Sequence, residues 1–288
     1  MPELPEVETI RRELSRSLPG QTVRSVSVRL PKIAHASETK LNRALKGKKM
    51  QSVGRRAKVL LLSFAGDWHI AIHLKMSGQI IWQPTTGRLR VGGHPIPGGL
   101  TNLPNAYSHV IFTMTGGTLY FNDQRQFGFL KLFHGEELAH WITKQHFGPE
   151  PLSAGFTIRQ FEQILTRNAK KKIKPTLLDQ TVIAGIGNIY ADESCFFARI
   201  LPTRKIGTLT KTERRQLYRG IRHVLQLSLK HKGTSADAYR TTNGDKGGMM
   251  PFLKVYGRAG KPCKRCGTPI KKFVLAGRGT HVCPRCQR

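Results

Sequence analysis

The chain has 288 residues, 39% of them hydrophobic, which is enough for about two domains with buried cores. Its 48 Lys and Arg against 17 Asp and Glu give a formal net charge of +31, which predicts a polyanionic partner, either nucleic acid or a membrane surface. No stretch approaches the ~18 apolar residues of a spanning helix, and the N-terminus lacks the basic and apolar segments of a signal peptide.

The first half of the chain is predicted to be a leading helix followed by strands. The helix is expected over 4–18, because four apolar residues share one stripe, Val7, Ile10, Leu14 and Leu18. Alternating apolar residues predict strands over 26–30 and 69–74. Two alternating runs around a Gly-Gly pair predict a hairpin over 110–121. The Gly- and Pro-rich residues 87–105 are expected to form a loop.

The second half is predicted to be helical. The segment Gly148-Pro149-Glu150-Pro151 breaks the strand pattern and marks a domain boundary. One helix is expected behind Thr157 and another behind Thr210, where Thr210 and Glu213 have capping-box spacing. The polar, Gly-rich residues 233–248 are expected to form a mobile loop.

Four of the five cysteines form two C-x-x-C pairs near the C-terminus, namely Cys263, Cys266, Cys283 and Cys286. In a reducing compartment this spacing predicts a four-thiolate zinc ribbon with one structural Zn²⁺, and an iron–sulfur cluster is the lesser alternative. Such a short segment would need the metal to fold. Arg278, which lies between two glycines at the expected hairpin tip, could approach a phosphate backbone closely.

The N-terminus carries two prolines and several acids in its first turn, Pro2, Glu3, Pro5, Glu6 and Glu8. Proline and glutamate both suit the start of a helix, so this pattern alone favours ordinary helix chemistry. Together with other segments it resembles the formamidopyrimidine-DNA glycosylase family. The segments that carry the resemblance are Pro2 to Thr9, Arg55-Arg56-Ala57-Lys58, His73 to Gly78, Asp123 to Gly128, Gly148 to Leu152, Lys174-Pro175, Gly187 to Ala191, Val255 to Arg258 and the ribbon.

The resemblance implies an α+β fold and a division into three parts. An N-terminal β-sandwich domain with a leading helix would carry catalysis over 1–148. A helical DNA-binding domain with a helix-two-turns-helix motif and a lesion-capping loop would span 149–256. A zinc-ribbon β-hairpin packed on the helical domain would cover 257–288.

The resemblance also implies a bifunctional repair enzyme that excises oxidised purines from duplex DNA and then cuts the strand. Its nucleophile would be the secondary amine of Pro2, which is exposed only after Met1 is removed. The helix dipole would favour the neutral amine, whereas Glu3 and Glu6 would favour its cation. By resemblance, Glu3 moves protons and Glu6 supports the geometry of the site.

Further roles follow from the resemblance alone. Lys58 would contact the phosphate beside the lesion and assist elimination, although any one lysine in so basic a chain could be an ordinary surface residue. Lys174 and Asn188 would bind phosphate, and Asn188 would also cap the helix that starts at Ile189. Arg278 would bind phosphates from the ribbon tip. The residues expected to be catalytic are therefore Pro2, Glu3, Lys58 and Arg278.

Three further residues, Met76, Arg125 and Phe127, would fill the hole that a flipped nucleotide leaves in the duplex. Met76 and Phe127 could instead be core residues. The chain departs from the family at Gln124 and Gln126, where proline and arginine are usual. It departs again over 248–252, so no base-reading residue is assigned there, and the loop 234–246 would close over the flipped base.

Two other functions remain open on the sequence. One is the same chemistry with oxidised pyrimidines preferred, as in endonuclease VIII-like enzymes. The other is a zinc-ribbon DNA-binding protein without catalysis. For the enzyme, the resemblance implies a monomer in the bacterial cytoplasm, associated with the nucleoid and with no membrane contact.

Overall fold

The computed structural model describes residues 1–93, 102–234 and 248–288. The chain forms two compact units. The N-terminal unit comprises Met1–Lys144 and His231–Gly248, and the C-terminal unit comprises Gln145–Lys230 and Met249–Arg288. Most of the loop expected over 233–248 lies outside the described residues. The three-part division at 148 and 256 stays a prediction.

The N-terminal unit is a β-sandwich behind a leading helix. The helix α1 (Leu4–Leu14) stops before Pro19, four residues earlier than the predicted end. One sheet has the order β1-β7-β8-β5-β6 and the other β2-β3-β4-β9. The strands are β1 (Val23–Val28), β2 (Met50–Arg56), β3 (Val59–Phe64), β4 (Trp68–His73), β5 (Gly78–Pro84), β6 (Arg90–Gly93), β7 (Ser108–Met114), β8 (Gly117–Asp123) and β9 (Phe129–His134).

The core of this unit lies between its sheets and α1. Alternation sends every second side chain of a strand inward, as with Leu60, Leu62 and Phe64 on β3. Leu18, predicted on the helical stripe, is fully buried although the helix has already ended. Apolar burial therefore decides its position rather than helical periodicity.

Three short helices of this unit were not predicted from the sequence: α2 (Pro31–Ala34), α3 (Glu38–Leu45) and α4 (Glu137–Lys144). The expectation of a continuous loop over 87–105 is wrong at β6, which pairs with β5. Gly92 on β6 allows a close approach of α1, since a Cβ there would lie 2.5 Å from an Ile10 side-chain carbon. Residues 94–101 lie outside the described residues.

The C-terminal unit contains α5 (Ile158–Arg167), α6 (Ile173–Leu178), α7 (Asn188–Ala198) and α8 (Lys211–Lys230), with short 3₁₀ turns at Ile206–Thr208 and Met250–Phe252. Both predicted N-terminal caps are confirmed. The Thr157 hydroxyl accepts from the Gln160 N–H, and Thr210 and Glu213 bond each other reciprocally. None of the described helices is both long and apolar enough to span a bilayer.

The ribbon is a two-stranded hairpin of β10 (Lys271–Leu275) and β11 (Arg278–Val282). Its two-residue turn has positive φ at both positions, 48° at Ala276 and 71° at Gly277, as a type I′ hairpin turn requires. The turn places Arg278 at the first position of β11, where its side chain is exposed.

The helix α7 carries a buried carboxylate that holds the chain segment leading to the ribbon. Glu193 is 3% exposed and accepts 2.9 Å hydrogen bonds from the backbone N–H groups of Lys254, Val255 and Tyr256. Burial raises the pKa of Glu193, while these three donors stabilise its charged form.

We expect Glu193→Ala to lower the free energy of unfolding by at least about 3 kcal/mol, since three buried N–H groups would lose their acceptor at roughly 1–3 kcal/mol each. Urea denaturation followed by circular dichroism measures this. Glu136→Ala is the control, because Glu136 is exposed and such a change should stay within about 0.5 kcal/mol. Equal stability of the two variants would contradict the anchoring role.

Candidate active site and metal centre

The start of α1 buries three residues of the predicted site, Pro2, Glu3 and Glu6. The Glu3 backbone N–H donates to Glu6 Oε2 at 3.0 Å. The other oxygen of Glu6 accepts from the Thr234 backbone N–H at 2.9 Å and from its hydroxyl at 3.1 Å. One buried carboxylate therefore fixes both the peptide after Pro2 and the residue at which the predicted lesion-capping loop begins.

The surroundings of the chain's terminal amine favour its neutral form. The pKa of this amine, on Met1, is lowered first by burial and then by the positive charges of Lys58 and Arg125, against the opposing carboxylates of Glu3 and Glu6. The sequence left the balance between helix dipole and carboxylates open. Around the Met1 amine, burial and two cations outweigh the carboxylates and lower the pKa, and the same groups would act in this sense on the amine of Pro2.

Lys58 follows a sharp turn between β2 and β3. Ala57 in that turn has a φ of 52°, and its carbonyl accepts from Arg55 Nη1 at 2.7 Å. Arg55 is held in turn by Glu8 at 3.2 Å. The Lys58 side chain is only 4% exposed, so the alternative of an ordinary surface lysine is wrong.

Glu8 forms salt bridges with three arginines, Arg11, Arg12 and Arg55. Burial alone would raise the pKa of Glu8, but hydrogen bonds from these arginines lower it to about 2. Glu8 is therefore ionised at physiological pH and orients Arg55 behind the Lys58 turn.

His73 lies in one of the segments that resemble the family, and no local sequence pattern assigns it a role. It ends β4 opposite Val59, the residue after Lys58. Burial and the charges of Lys75 and Lys58 lower the pKa of His73 to about 3, and its Nδ1 accepts from the Lys75 N–H at 2.9 Å. The ring is therefore neutral with its hydrogen on Nε2, a donor that only the cross-strand register reveals.

Met76 and Phe127 are exposed, 40% and 56% respectively, so the alternative that they are core residues is wrong. A buried acid joins the two loops that carry them. The Ser77 hydroxyl donates to Asp123 Oδ1 at 2.5 Å, and the Arg125 N–H donates to the Ser77 hydroxyl at 2.9 Å. The structure thus brings Met76, Arg125 and Phe127 to linked loops.

The departures at Gln124 and Gln126 leave this loop anchored. Gln126 has a left-handed φ of 57°. The backbone beyond it is held by Asp123 Oδ2, which accepts from the Gly128 N–H at 2.6 Å. A Cβ at Gly128 would lie 2.9 Å from that oxygen, so this residue must be small. Asp123 and Gly128 fix this part of the loop, without an arginine at 126.

In the C-terminal unit, Lys174 lies inside the protein, and its phosphate contact stays a prediction. Its side chain is fully buried. Its ammonium lies 2.7 Å from Asp192 Oδ1 and donates to the Gly279 carbonyl at 2.8 Å and to the Thr280 hydroxyl at 2.9 Å. Two of its N–H donors are therefore used on the ribbon, and the ion pair with Asp192 compensates its buried charge. Lys174 positions the ribbon strand beside Arg278.

Asn188 is the first residue of α7, and its predicted capping role is wrong because Gly187 occupies the cap position without a side-chain cap bond. Its side-chain amide donates to the same Gly279 carbonyl at 3.0 Å. Two donors therefore hold the peptide next to Arg278. Asp192, the ion-pair partner of Lys174, also holds β11, because it accepts from the His281 N–H at 2.9 Å.

The four ribbon cysteines form one metal site. Their sulfur atoms all lie within 4.8 Å of one another, with Cys266 and Cys283 at 3.4 Å and Cys263 and Cys286 at 4.0 Å. Tetrahedral zinc with Zn–S bonds of about 2.3 Å needs sulfurs roughly 3.8 Å apart, so the four ligands fit one structural Zn²⁺. The fifth cysteine, Cys195, is fully buried, and burial raises the pKa of its thiol.

Three family models match the chain. The formamidopyrimidine-DNA glycosylase N-terminal domain matches residues 1–130, the H2TH domain of the same glycosylase matches 147–239, and a zinc finger found in FPG and IleRS matches 260–288. Together they cover the β-sandwich, the helical segment and the ribbon.

Similar full-length proteins carry the same name. The chain is 43% identical to formamidopyrimidine-DNA glycosylase of Heliobacterium modesticaldum, with 100% of both chains covered. It is 41% identical to that of Pelotomaculum thermopropionicum, covering 100% of this chain and 99% of the relative.

Similar solved structures contain DNA. A complex of Lactococcus lactis Fpg with abasic-site DNA has a TM-score of 0.87 and 35% identity over 99% of both chains. A complex of a point mutant of that protein with Fapy-dG DNA has a TM-score of 0.88 and 35% identity over 100% of both chains. The wild-type Lactococcus protein was also solved with DNA containing an oxidised pyrimidine, at a TM-score of 0.87 and 35% identity over 100% of both chains.

We expect zinc removal by a strong chelator to unfold the hairpin and weaken binding to an abasic-site duplex, because the ribbon has few core residues besides its ligands. Cys266→Ser should show the same loss without chelator. Cys195→Ala, which removes a thiol outside the ribbon, should keep its zinc. Zinc content and DNA affinity are the measurements, and full affinity in a zinc-free protein would contradict this role.

Proposed function

The chain belongs to the formamidopyrimidine-DNA glycosylase family, and we propose that it excises oxidised purines from duplex DNA through an imine formed by Pro2. It is a DNA-binding repair enzyme, a glycosylase with an associated lyase activity at abasic sites. The observation that carries the proposal is the electrostatic environment at the start of α1. Burial, Lys58 and Arg125 lower the pKa of the Met1 amine there, and the same groups would favour a neutral amine on Pro2, next to the buried carboxyl of Glu3.

The reaction begins once Met1 is removed and Pro2 presents a secondary amine. The lone pair of its nitrogen attacks C1′ of the damaged nucleotide, the bond from C1′ to the base breaks with its electrons leaving on the base, and the departing base takes up the N–H proton of Pro2. Glu3 then donates a proton to the sugar ring oxygen, and the nitrogen lone pair opens the ring, which leaves a positively charged imine (an iminium ion) between C1′ and Pro2.

The imine makes the neighbouring C2′ hydrogen acidic. Its removal expels the 3′ phosphate by β-elimination, and a second elimination expels the 5′ phosphate, leaving a one-nucleotide gap. Water then releases the sugar fragment from Pro2. Glu3 moves protons in these steps, and Glu6 holds the Glu3 backbone so that the carboxyl and amine stay in place.

Each unit offers donors for the DNA backbone. In the N-terminal unit Lys58 contributes an ammonium, and the neutral ring of His73 contributes its Nε2 hydrogen. In the C-terminal unit Arg278 contributes an exposed guanidinium, and the amide of Asn188 lies in the adjacent network. Lys174 acts through Gly279 and Thr280 as a positioning residue.

The space left by the flipped nucleotide would be filled by the side chains on the linked loops. Met76 and Phe127 are apolar and exposed, which suits a wedge between base steps. The Arg125 guanidinium lies 4.9 Å from the centre of the Phe127 ring and would face the unpaired base.

Oxidised purines are our proposed substrates, and oxidised pyrimidines are the second candidate. The favouring observation for the second is that a similar Lactococcus protein was solved with DNA containing an oxidised pyrimidine. Rates on a panel of both lesion classes distinguish them. We further propose that the enzyme acts as a monomer associated with the bacterial nucleoid.

Borohydride trapping on an 8-oxoguanine duplex tests the nucleophile. We expect a reduced adduct whose peptide fragmentation places the DNA on the nitrogen of Pro2, because the imine forms there. Protein that retains Met1 should give no adduct. Pro5→Ala, which changes a neighbouring proline and keeps Pro2, is the control and should be trapped normally. An adduct on a lysine side chain would show that Pro2 is not the nucleophile. The absence of an adduct with every lesion would favour a DNA-binding protein without catalytic activity.

The pH dependence of trapping tests the electrostatic argument. Arg125 lowers the pKa of the Met1 amine and would lower that of the Pro2 amine in the same way, so Arg125→Gln should raise the pKa of Pro2 and leave more of its amine protonated at a given pH. The acidic limb of the single-turnover trapping rate should therefore move to higher pH. Arg24→Gln, at an exposed arginine outside the site, should leave the limb in place. If the acidic limb of the trapping rate stays at the same pH in Arg125→Gln, Arg125 does not lower the pKa of the amine as proposed.

A further inference from the structure

The C-terminal unit has a second concentration of positive charge at the metal end of the ribbon. An open concavity of about 610 Å³ is lined by four arginines and two of the zinc ligands, Arg199, Arg265, Arg285, Arg288, Cys266 and Cys286. All four arginines are exposed, and no carboxylate side chain is among the lining residues. We call it the arginine pocket.

The backbone fixes the arginines of this pocket in place. Each cysteine pair contributes the arginine before its second cysteine, Arg265 and Arg285. Arg265 stacks on the Phe196 ring at 4.2 Å, and the Arg288 N–H donates to the Arg199 carbonyl at 3.1 Å. An aromatic ring thus holds the Arg265 guanidinium, and a backbone hydrogen bond joins the residues that carry two of the other cations, Arg199 and Arg288.

Arg199 ends α7 in a left-handed conformation, with a φ of 61°. Glycine or asparagine is the usual residue at such a position, because a larger side chain is strained there. Arginine at this position contributes a cation to the pocket, although glycine or asparagine would adopt this backbone conformation with less strain.

Neutralisation of the zinc site accounts for only part of this charge. Zn²⁺ with four thiolates carries two net negative charges and the α-carboxylate of Arg288 a third, whereas the arginines carry four positive ones, so +4, −2 and −1 leave +1. Guanidinium groups match phosphate oxygens through paired hydrogen bonds. The surplus therefore favours a phosphate-bearing ligand.

The pocket is separate from the ribbon tip that carries Arg278. The cysteine pairs flank the open end of the hairpin and Arg278 lies at its turn, with five-residue strands between them. At about 3.3 Å per residue this places the two ends roughly 16 Å apart. A phosphate in the pocket is therefore not one that Arg278 binds.

We propose that the arginine pocket binds the phosphate backbone of a second DNA duplex while a first duplex occupies the active site. The inference rests on the DNA binding of the proposed function and adds a second site to it. Bound at two places, the enzyme would pass from one DNA segment to another without release into solution, since a basic surface of this kind needs no particular sequence.

The test begins with a one-to-one complex of zinc-loaded enzyme and a labelled duplex that contains a stable abasic analogue. An undamaged duplex with a second fluorophore is then added, and energy transfer reports a ternary complex. We expect the wild-type enzyme to form it and Arg199→Ala/Arg285→Ala to lose it, with unchanged affinity for the first duplex. The affinity for the second duplex should fall with salt as expected for at least two phosphate contacts. A plot of the logarithm of the binding constant against the logarithm of the salt concentration should have a slope of about −2 or steeper.

The matched control is Arg24→Ala/Arg43→Ala, which removes two exposed arginines from the N-terminal unit and should form the ternary complex normally. Inorganic pyrophosphate at constant ionic strength forms a second arm. If it binds in the pocket and added duplex does not, the pocket is a site for free phosphate and the proposal is wrong.

Three other outcomes overturn the proposal. These are an intact ternary complex in Arg199→Ala/Arg285→Ala, weakened binding of the first duplex in that variant, or loss of zinc as its only defect. Should the double variant fold poorly, Arg199→Ala alone decides the matter, because Arg199 lies at the end of α7 outside the metal site. Cleavage of a lesion duplex is measured in parallel, so a protein that forms the ternary complex without cleaving contradicts the proposed chemistry alone.

Discussion

The terminal amine must be uncharged when the flipped sugar arrives, and much of the N-terminal unit serves that constraint. Burial at the start of α1 disfavours the ammonium, and Lys58 and Arg125 disfavour it further. Both cations come from sequence positions far from the amine, and each is held by the sandwich. Lys58 follows a turn that Arg55 stabilises, and Arg125 lies in a loop anchored by Ser77 and Asp123.

A chain with 48 basic and 17 acidic side chains uses several of its few acids as internal anchors. Glu6 ties α1 to Thr234, and Asp123 holds the loop of Arg125. Asp192 binds Lys174 and the backbone of β11, and Glu193 binds three consecutive backbone N–H groups. Each buried carboxylate satisfies donors that would otherwise cost free energy, and Asp123 and Asp192 in doing so fix the loop of Arg125 and the strand of Arg278.

This arrangement divides the positive charge into two kinds. Lys174 is fully buried and donates its hydrogen bonds to groups of the protein, which positions the ribbon. Arg278 and the arginines of the pocket are exposed and available to phosphates. Residue type did not separate these roles. The contacts inside the protein did, because the fully buried Lys174 ammonium is paired with Asp192 and bonded to Gly279 and Thr280.

The sequence alone determined the elements with strong local signals: the stripe of α1, the alternation of the sandwich strands, the caps at Thr157 and Thr210, and the cysteine spacing of the metal site. Its family segments also named Pro2, Glu3 and Lys58. Only the tertiary structure decided that Lys174 is an internal anchor, that His73 lies next to the Lys58 turn in a neutral state, and that four arginines meet beside the zinc ligands. These facts depend on burial and on contacts between residues distant in sequence, and no local pattern encodes which neighbour will remove a side chain from water.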